Sequence, residues 1–170
     1  GFVVVENPLA LLQMFAAKHR EKSGLKIIGI TGSNGKTIVK EWLHQLLSPE
    51  HKIVRNPRSF NSQIGVPLSV LNIEDGDELG IFEAGISLPG EMVKLATILQ
   101  PNEGVFTHVG NAHLENFDSQ TQLIREKCKL FENCERIFYR ADQSDIRAAL
   151  KENNFRGTHI TWGFDGEADM

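Results

Sequence analysis

The chain has 170 residues, a formal net charge of −4 and 41% hydrophobic residues. This length and apolar content suit one globular domain with a core. The mildly acidic balance gives no reason to expect a nucleic acid or a membrane surface as the main partner. No apolar run is long enough to span a bilayer, and Cys128 and Cys134 lack a paired spacing, which favours reduced thiols in a cytosolic protein.

Helical and strand-like segments alternate along the chain. Residues 7–21 have helical apolar spacing, and short apolar runs then alternate with amphipathic segments. The predicted strands are 25–30, 51–55, 79–85, 103–110, 136–139 and 158–163, and the predicted helices between them are 36–47, 65–73, 89–99, 119–134 and 144–153. This order predicts an α/β fold with right-handed crossovers and a mostly parallel sheet that helices cover on both faces.

Local signals support two of these helices. Ser119 is a suitable N-cap for the segment 119–134, and Pro67 suits a first helical turn. In the segment 36–47 the apolar residues fall on one helical stripe, which comprises Val39, Trp42, Leu43, Leu46 and Leu47.

The run KIIGITGSNGKTIVKEW, residues 26–42, places two glycines, a lysine and a hydroxyl at a strand-to-helix junction. Gly32 and Gly35 allow a tight turn whose amide groups, with those of Ser33 and Asn34 and the helix N-terminus, attract phosphate oxygens. Lys36 can reach the β- and γ-phosphates of a nucleotide, and the Thr37 hydroxyl can hold Mg²⁺. The common phosphate-binding loop has four residues between its glycines, whereas this one has two. A glycine-rich turn without a ligand is the alternative, and it explains the ordered strand, turn and helix poorly.

Further polar residues follow successive predicted strands. Glu83 closes a strand, Asn61 and Ser62 precede a helix, and His113 follows the strand 103–110. Taken singly, each has a plain explanation: a solvated strand end, helix capping and a surface histidine. Lys127, in the middle of a charged helix, fits a solvated face. Their joint occurrence after successive strands indicates one ligand-binding edge of the sheet.

The motifs together resemble the Mur ligases, which form amide bonds in peptidoglycan synthesis with ATP. GITGSNGKT is similar to their nucleotide loop, including its short spacing, FEAGISLPGEM to their glutamate motif and THVGNAHLENFDS to their histidine motif. FNSQIGVPLSVL, with PGEM and AHLE, resembles the MurF branch more than the other branches or the folylpolyglutamate synthetases. The resemblance extends over residues 7–163.

The resemblance implies a P-loop-like central domain of a three-domain enzyme. It assigns residues 1–24 to the tail of an N-terminal domain with a connecting helix and residues 25–170 to the central ATP-binding domain, so we interpret the chain as a piece of a longer protein. Members of the MurF branch join D-alanyl-D-alanine to UDP-N-acetylmuramoyl-tripeptide through an acyl phosphate. In some bacteria this enzyme is fused to an alanine racemase, of which this sequence shows no sign.

The same resemblance implies roles for individual residues. The loop 32–37 and Asn61 would bind ATP, with Lys36 neutralising the phosphates. Thr37 and Glu83 would hold one Mg²⁺, and His113 would help to hold a second. Lys127 matches a lysine that CO₂ carbamylates in this family, which turns a cation into an anionic metal ligand. Lys129 is the rival two residues on.

Alternative functions remain open from the sequence. A GTPase is disfavoured because no Asn-Lys-x-Asp motif occurs, and a kinase would not need the glutamate and histidine motifs in this order. A non-catalytic nucleotide-binding module would not need Glu83, His113 and Lys127 on one edge. In one respect the sequence departs from the family: Arg140 and Gln143 replace an asparagine and an aspartate of a nucleotide-site motif, so we leave them outside the predicted site.

Overall fold

The computed structural model describes residues 4–110, 114–163 and 168–169 and contains six strands and six α-helices in alternation. The strands are β1 Lys26–Thr31, β2 Ile53–Arg55, β3 Leu79–Glu83, β4 Glu103–Phe106, β5 Arg136–Arg140 and β6 Thr158–Trp162. The helices are α1 Pro8–Ser23, α2 Lys36–Leu47, α3 Gly65–Val70, α4 Glu91–Leu99, α5 Gln120–Cys128 and α6 Ser144–Glu152. Each predicted element is present. None of the described helices is both long and apolar enough to cross a membrane.

The six strands form one sheet in the order β2-β3-β1-β4-β5-β6, and all pairs are parallel. From β1 the chain crosses to the edge strand β2 in one direction, and the later crossovers run the opposite way. The order of strands therefore reverses beside β1. In sheets of this kind ligands bind outside the carboxyl ends of the strands at such a reversal, and this is where β1 enters the glycine-rich loop.

The helices divide unequally between the two faces of the sheet. Right-handed crossovers place α2 on one face and α3 to α6 on the other, where α1 packs against α3 and α4. Most of the core lies on this second face, and there the ring of Phe131 leaves no space for a Cβ atom at Gly104. Among the described helices, α2 alone covers the other face, where it contacts β1, β2 and β3. The prediction of helices on both faces thus holds for one half of the sheet.

Several element boundaries differ from the predicted ones. The predicted strands 79–85 and 103–110 end at Glu83 and Phe106, because the residues beyond leave the sheet to form loops. The predicted helix 119–134 ends at Cys128 and continues as one 3₁₀ turn, Lys129–Phe131. Its start is as predicted, with Ser119 Oγ accepting a hydrogen bond from Gln122 N at 3.1 Å.

The apolar stripe of α2 is only partly directed at the sheet. Val39, Leu43 and Leu47 are half-buried, whereas Trp42 is 63% and Leu46 74% exposed. The helix residue with no exposed surface is instead a cation, Lys40. Apolar spacing therefore located the helix but not its buried face.

A buried arginine joins α1 to the end of α4. Arg20 is 7% exposed and donates from Nε to Leu99 O at 2.9 Å and from an Nη atom to Gln100 O at 3.3 Å. The last carbonyls of a helix have no partner within it, and a cation there also opposes the negative end of the helix dipole. Burial lowers the pKa of the Arg20 guanidinium. It nevertheless stays charged, because arginine loses its proton only far above neutral pH.

We expect Arg20→Met to lower the free energy of unfolding by about 1–3 kcal/mol, because it leaves two carbonyl groups without their donor. Urea unfolding followed by circular dichroism measures this change. Lys22→Met, at an exposed position of the same helix, is the control and should have a much smaller effect. Equal stability of the Arg20→Met variant and the unchanged chain would show that Arg20 does not contribute in this way.

Candidate functional site

The glycine-rich loop follows β1 at the carboxyl edge of the sheet and leads directly into α2. Gly32 has φ 145° and Gly35 has φ 84°, backbone conformations that favour glycine. At Gly32 the need is also steric, since a Cβ atom would lie 2.1 Å from Thr107 Oγ1. The two glycines of the motif are therefore required by the path of the backbone.

The segment after β4 holds this loop in place. Thr107 Oγ1 donates to Asn34 O at 2.6 Å, Ser33 N donates to His108 O at 2.7 Å, and Ser33 Oγ donates to Gly110 O at 3.0 Å. Gln143 follows β5, where the sequence differs from the family motif, and its Nε2 atom lies 3.2 Å from His108 Nδ1. The loops after β1, β4 and β5 thus form one hydrogen-bonded edge.

The loop contains backbone amides without a protein acceptor among the described residues, and one ammonium group lies against it. No described residue accepts a hydrogen bond from the amides of Asn34, Gly35, Lys36 or Thr37. Lys36 Nζ folds back onto the loop and donates to Gly32 O at 2.9 Å. Burial lowers the pKa of Lys36, and the Glu83 carboxylate opposes that change. Free amides at a helix N-terminus beside an ammonium group can bind an anion such as a phosphate group.

Glu83, at the end of β3, is fully buried, so the explanation as a solvated strand end is wrong. Thr37 Oγ1 lies 3.1 and 3.0 Å from its two carboxylate oxygens, and Asn61 Nδ2 donates to Oε2 at 3.1 Å. Lys40 Nζ lies 3.2 Å from Oε1 and forms a buried ion pair with it. The backbone amide of Glu83 donates to Asn56 Oδ1 at 2.6 Å. The strand end, the P-loop helix and the segment 56–61 therefore meet at one carboxylate.

Lys127 is 1% exposed, so the solvated face suggested for this part of α5 is wrong for it. Its Nζ donates to Gly32 O at 3.1 Å, the carbonyl that also accepts from Lys36. Burial, and then the nearby Lys36 ammonium, lower the pKa of Lys127 to about 8. The rival Lys129 is half-exposed and pairs with Glu126 Oε2. Of the two lysines, Lys127 is therefore the one that reaches the site.

A cleft of about 460 Å³ opens between the loop, the segment 61–64 and the residues after β3. It is lined by Leu9, Lys36, Asn61, Ser62, Gln63, Ile64, Gly85, Ile86, Ser87, Glu91 and Lys127. Two lysines and one amide side chain from the predicted site share this cleft, which is large enough for part of a substrate. The cleft thus adjoins the glycine-rich loop.

The oxygen donors of the site fit a hard cation with few protein ligands. Within the described residues, no three His, Cys, Asp or Glu side chains are grouped as in an all-protein metal site. The Thr37 hydroxyl and the Glu83 carboxylate lie together at the loop, however. Mg²⁺ usually takes one or two protein oxygens and completes its shell with waters and phosphates, which agrees with this pair.

The remaining predicted residues have separate outcomes. His113 lies outside the described residues. Ser62 Oγ accepts from Gly65 N at 3.2 Å, which is a helix-capping contact. Sequence reasoning missed Lys40 and Asn56, which hold Glu83. A signal for Lys40 was available, because its position four residues after Lys36 places both on the same face of α2.

Comparisons with known proteins agree on one family. The profile described as Mur ligase middle domain matches residues 30–170. A UDP-N-acetylmuramoyl-tripeptide–D-alanyl-D-alanine ligase from Borreliella burgdorferi is 38% identical over 151 residues, which cover 89% of this chain and 32% of that protein. The chain therefore spans about a third of the length of this relative.

Solved structures show the same architecture. A crystal structure of MurF from Acinetobacter baumannii superposes with a TM-score of 0.85 and 26% identity, covering 95% of this chain and 36% of that one. The MurF ligase from Thermotoga maritima in complex with ADP gives a TM-score of 0.83 and 27% identity, covering 96% of this chain and 42% of that one. The chain belongs to the Mur ligase family, as a middle domain whose relatives lie in the MurF branch.

Proposed function

We propose that the chain is the ATP-binding central domain of a ligase that adds D-alanyl-D-alanine to UDP-N-acetylmuramoyl-tripeptide in peptidoglycan synthesis. The observation that carries this proposal is the meeting of Thr37 and Glu83 beside Lys36 and a loop whose amides have no acceptor in the described part of the chain. The names of the related ligases supply the reaction and its two substrates, and the related structure with ADP supports nucleotide binding.

The nucleotide phosphates would bind at the loop 32–37. Four amides at the N-terminus of α2 have no acceptor among the described residues, and Lys36 can exchange its contact with Gly32 O for a phosphate oxygen. The ammonium group gains by this exchange, because a charge-assisted hydrogen bond to phosphate is stronger than one to a neutral carbonyl. The loop therefore needs no large rearrangement to bind its ligand.

Thr37 and Glu83 would hold a Mg²⁺ ion together with the phosphates, and Asn61 would orient Glu83 on its other side. When bound, Mg²⁺ supplies positive charge between two anions, the γ-phosphate and the carboxylate to be activated. The Lys36 ammonium group lowers the same repulsion from the loop side. These positive charges matter because transfer of the γ-phosphate to the carboxylate, which gives an acyl phosphate, brings two negatively charged groups together.

Lys127 is the proposed site of carbamylation. The reaction joins the neutral amine to CO₂ and releases one proton, and a lysine with a pKa of about 8 is neutral far more often at pH 7–8 than an ordinary one. The product would be an anion beside Lys36, which offers it a counter-charge. We expect the plain lysine in the 170-residue chain by itself and the carbamate when nucleotide and Mg²⁺ are bound in the complete gene product.

The function is tested by assaying the complete gene product for phosphate release from ATP. Release should require both UDP-N-acetylmuramoyl-tripeptide and D-alanyl-D-alanine, and Glu83→Gln should abolish it. The 170-residue chain alone should bind Mg-ATP without forming an amide, because we assign the recognition of both substrates to other parts of the enzyme. Phosphate release with a folate substrate in place of the muramoyl peptide would favour the folylpolyglutamate synthetase alternative. Nucleotide binding without any ligation would favour a non-catalytic module.

We expect Lys36→Ala to weaken ATP binding by about ten- to a hundredfold, since a charge-assisted contact of about 1.5–3 kcal/mol is lost. The melting temperature should change little, because Lys36 is half-exposed and lies in the cleft, not in the core. Calorimetric titration and thermal unfolding of the same sample measure both quantities. Lys94→Ala, at an exposed position of α4, is the control, and unfolding of the Lys36→Ala chain would argue against a ligand-binding role.

We expect the Lys127 ammonium group to make stability depend on pH. The folded chain holds this group at a pKa of about 8, whereas an unfolded chain has an ordinary value near ~10.4. Between these values the unfolded state binds more protons, so the free energy of unfolding rises with pH. The stability of the chain relative to Lys127→Met should therefore rise between pH 7 and pH 10, by up to about 3 kcal/mol.

Urea unfolding at several pH values measures this difference. The same series with Lys129→Met tests the rival lysine. A rise that appears only in the Lys129→Met comparison would place the site two residues further along α5, and a flat difference for both variants would contradict the buried position of Lys127.

A further inference from the structure

Lys40 is a buried ammonium group for which the proposed reaction gives no role so far. It lies one turn after Lys36 on α2 and has no exposed surface. Nζ donates to Asn56 O at 2.8 Å, to Arg58 O and to Glu83 Oε1 at 3.2 Å. Its three protons thus have three acceptors, and the Glu41 carboxylate, with Oε1 3.2 Å from Nζ, is a second ion-pair partner. An unpaired ammonium group would not remain in such a place, because its desolvation is expensive without partners.

The acceptors of Lys40 belong to the two parts that form the candidate metal site. Glu83 is the proposed metal ligand, and the segment 56–61 carries Asn61, which donates to the other oxygen of the same carboxylate. Asn56 strengthens this connection, since its side chain accepts from Glu83 N and donates to Phe60 O at 2.7 Å. Lys40 therefore connects the helix of the loop, the end of β3 and the segment 56–61 at one atom.

We propose that Lys40 is a positioning residue for the metal ion of the site. It fixes Glu83 Oε1 and the carbonyls of Asn56 and Arg58 relative to Thr37, which lies three residues earlier on the same helix. The carboxylate then has one orientation before the ion arrives, and the ammonium group offsets its charge at a position without exposed surface. This inference rests on the proposed role of Glu83 in holding Mg²⁺.

A buried cation with a purely structural role is available in the same chain for comparison. Arg20 is also buried and also donates to two main-chain carbonyls, Leu99 O and Gln100 O. It lies at the C-terminal end of α4, and neither of its two acceptors is a carboxylate. Loss of Arg20 should therefore weaken the fold in a similar way without affecting the site.

The test compares ADP binding by the 170-residue chain and its variants over a series of Mg²⁺ concentrations, with EDTA as the metal-free reference. In Lys40→Met the Mg²⁺ concentration for half-maximal enhancement of ADP binding should rise about tenfold or more, as is usual when a partner of a metal ligand is lost. ADP binding in EDTA should be unchanged. Arg20→Met should lower the melting temperature and leave the Mg²⁺ dependence as it is in the unchanged chain.

Two further variants keep the test decisive. Lys40→Gln has no charge but can still donate to one of the carbonyls, so it serves if Lys40→Met does not fold, and the same shift is expected. In a Glu83→Gln background, Lys40→Met should add nothing to the change in Mg²⁺ dependence, because Lys40 acts through that carboxylate.

The outcomes separate the inference from the function on which it rests. If the unchanged chain and Lys40→Met respond equally to Mg²⁺, Lys40 only stabilises the fold and the inference fails alone. Equal shifts for Lys40→Met and Arg20→Met would also overturn it, because loss of stability would then be the common cause. If ADP binding by the unchanged chain does not depend on Mg²⁺, the metal role of Glu83 fails, and the inference fails with it.

Discussion

A carboxylate without exposed surface at the end of β3 is the constraint on which the site depends. Burying a charge is costly unless it is paired and hydrogen-bonded, and Glu83 meets this condition only because two other parts of the chain supply partners: Thr37 and Lys40 from α2, and Asn61 from the segment after β2. The end of β3 and these two parts are thereby fixed relative to one another. A metal ion would then replace contacts that already exist, so little reorganisation is needed when it binds.

The second organising feature is a single carbonyl oxygen shared by two lysines. Gly32 O accepts from both Lys36 and Lys127, so two like charges are held close together, and one of them is almost fully buried. The repulsion and the burial lower the pKa of Lys127 to about 8. The negative charge of a phosphate group or a carbamate would offset the repulsion between the two ammonium groups. The ligand-free arrangement therefore favours the anions that the proposed reaction brings to this place.

The sheet explains why these groups meet at all. β1 lies between β3 and β4, and the crossover after β1 leaves to one face of the sheet, whereas the crossovers after β3 and β4 leave to the other. The loops after β1, β3 and β4 consequently lie side by side at one edge and bond to one another, for instance through Thr107 Oγ1 and Asn34 O. Gly32 allows the closest of these approaches, because no side chain fits between the loop and Thr107.

The sequence by itself determined the alternation of strands and helices, the parallel sheet and the position of the glycine-rich loop, because these depend on local spacing and on residues close in the chain. It also indicated Thr37, Asn61, Glu83 and Lys127 as candidate site residues, through their positions after successive strands and through the family resemblance.

Only the tertiary structure decided the surroundings of these residues: it buried Glu83 and Lys127, exposed Trp42 and Leu46, and turned Lys40 toward the carboxylate. Burial and pKa depend on groups that lie far apart in sequence, such as Gly32 and Lys127. A local pattern contains no information about such pairs, because their proximity results from the order of strands in the sheet.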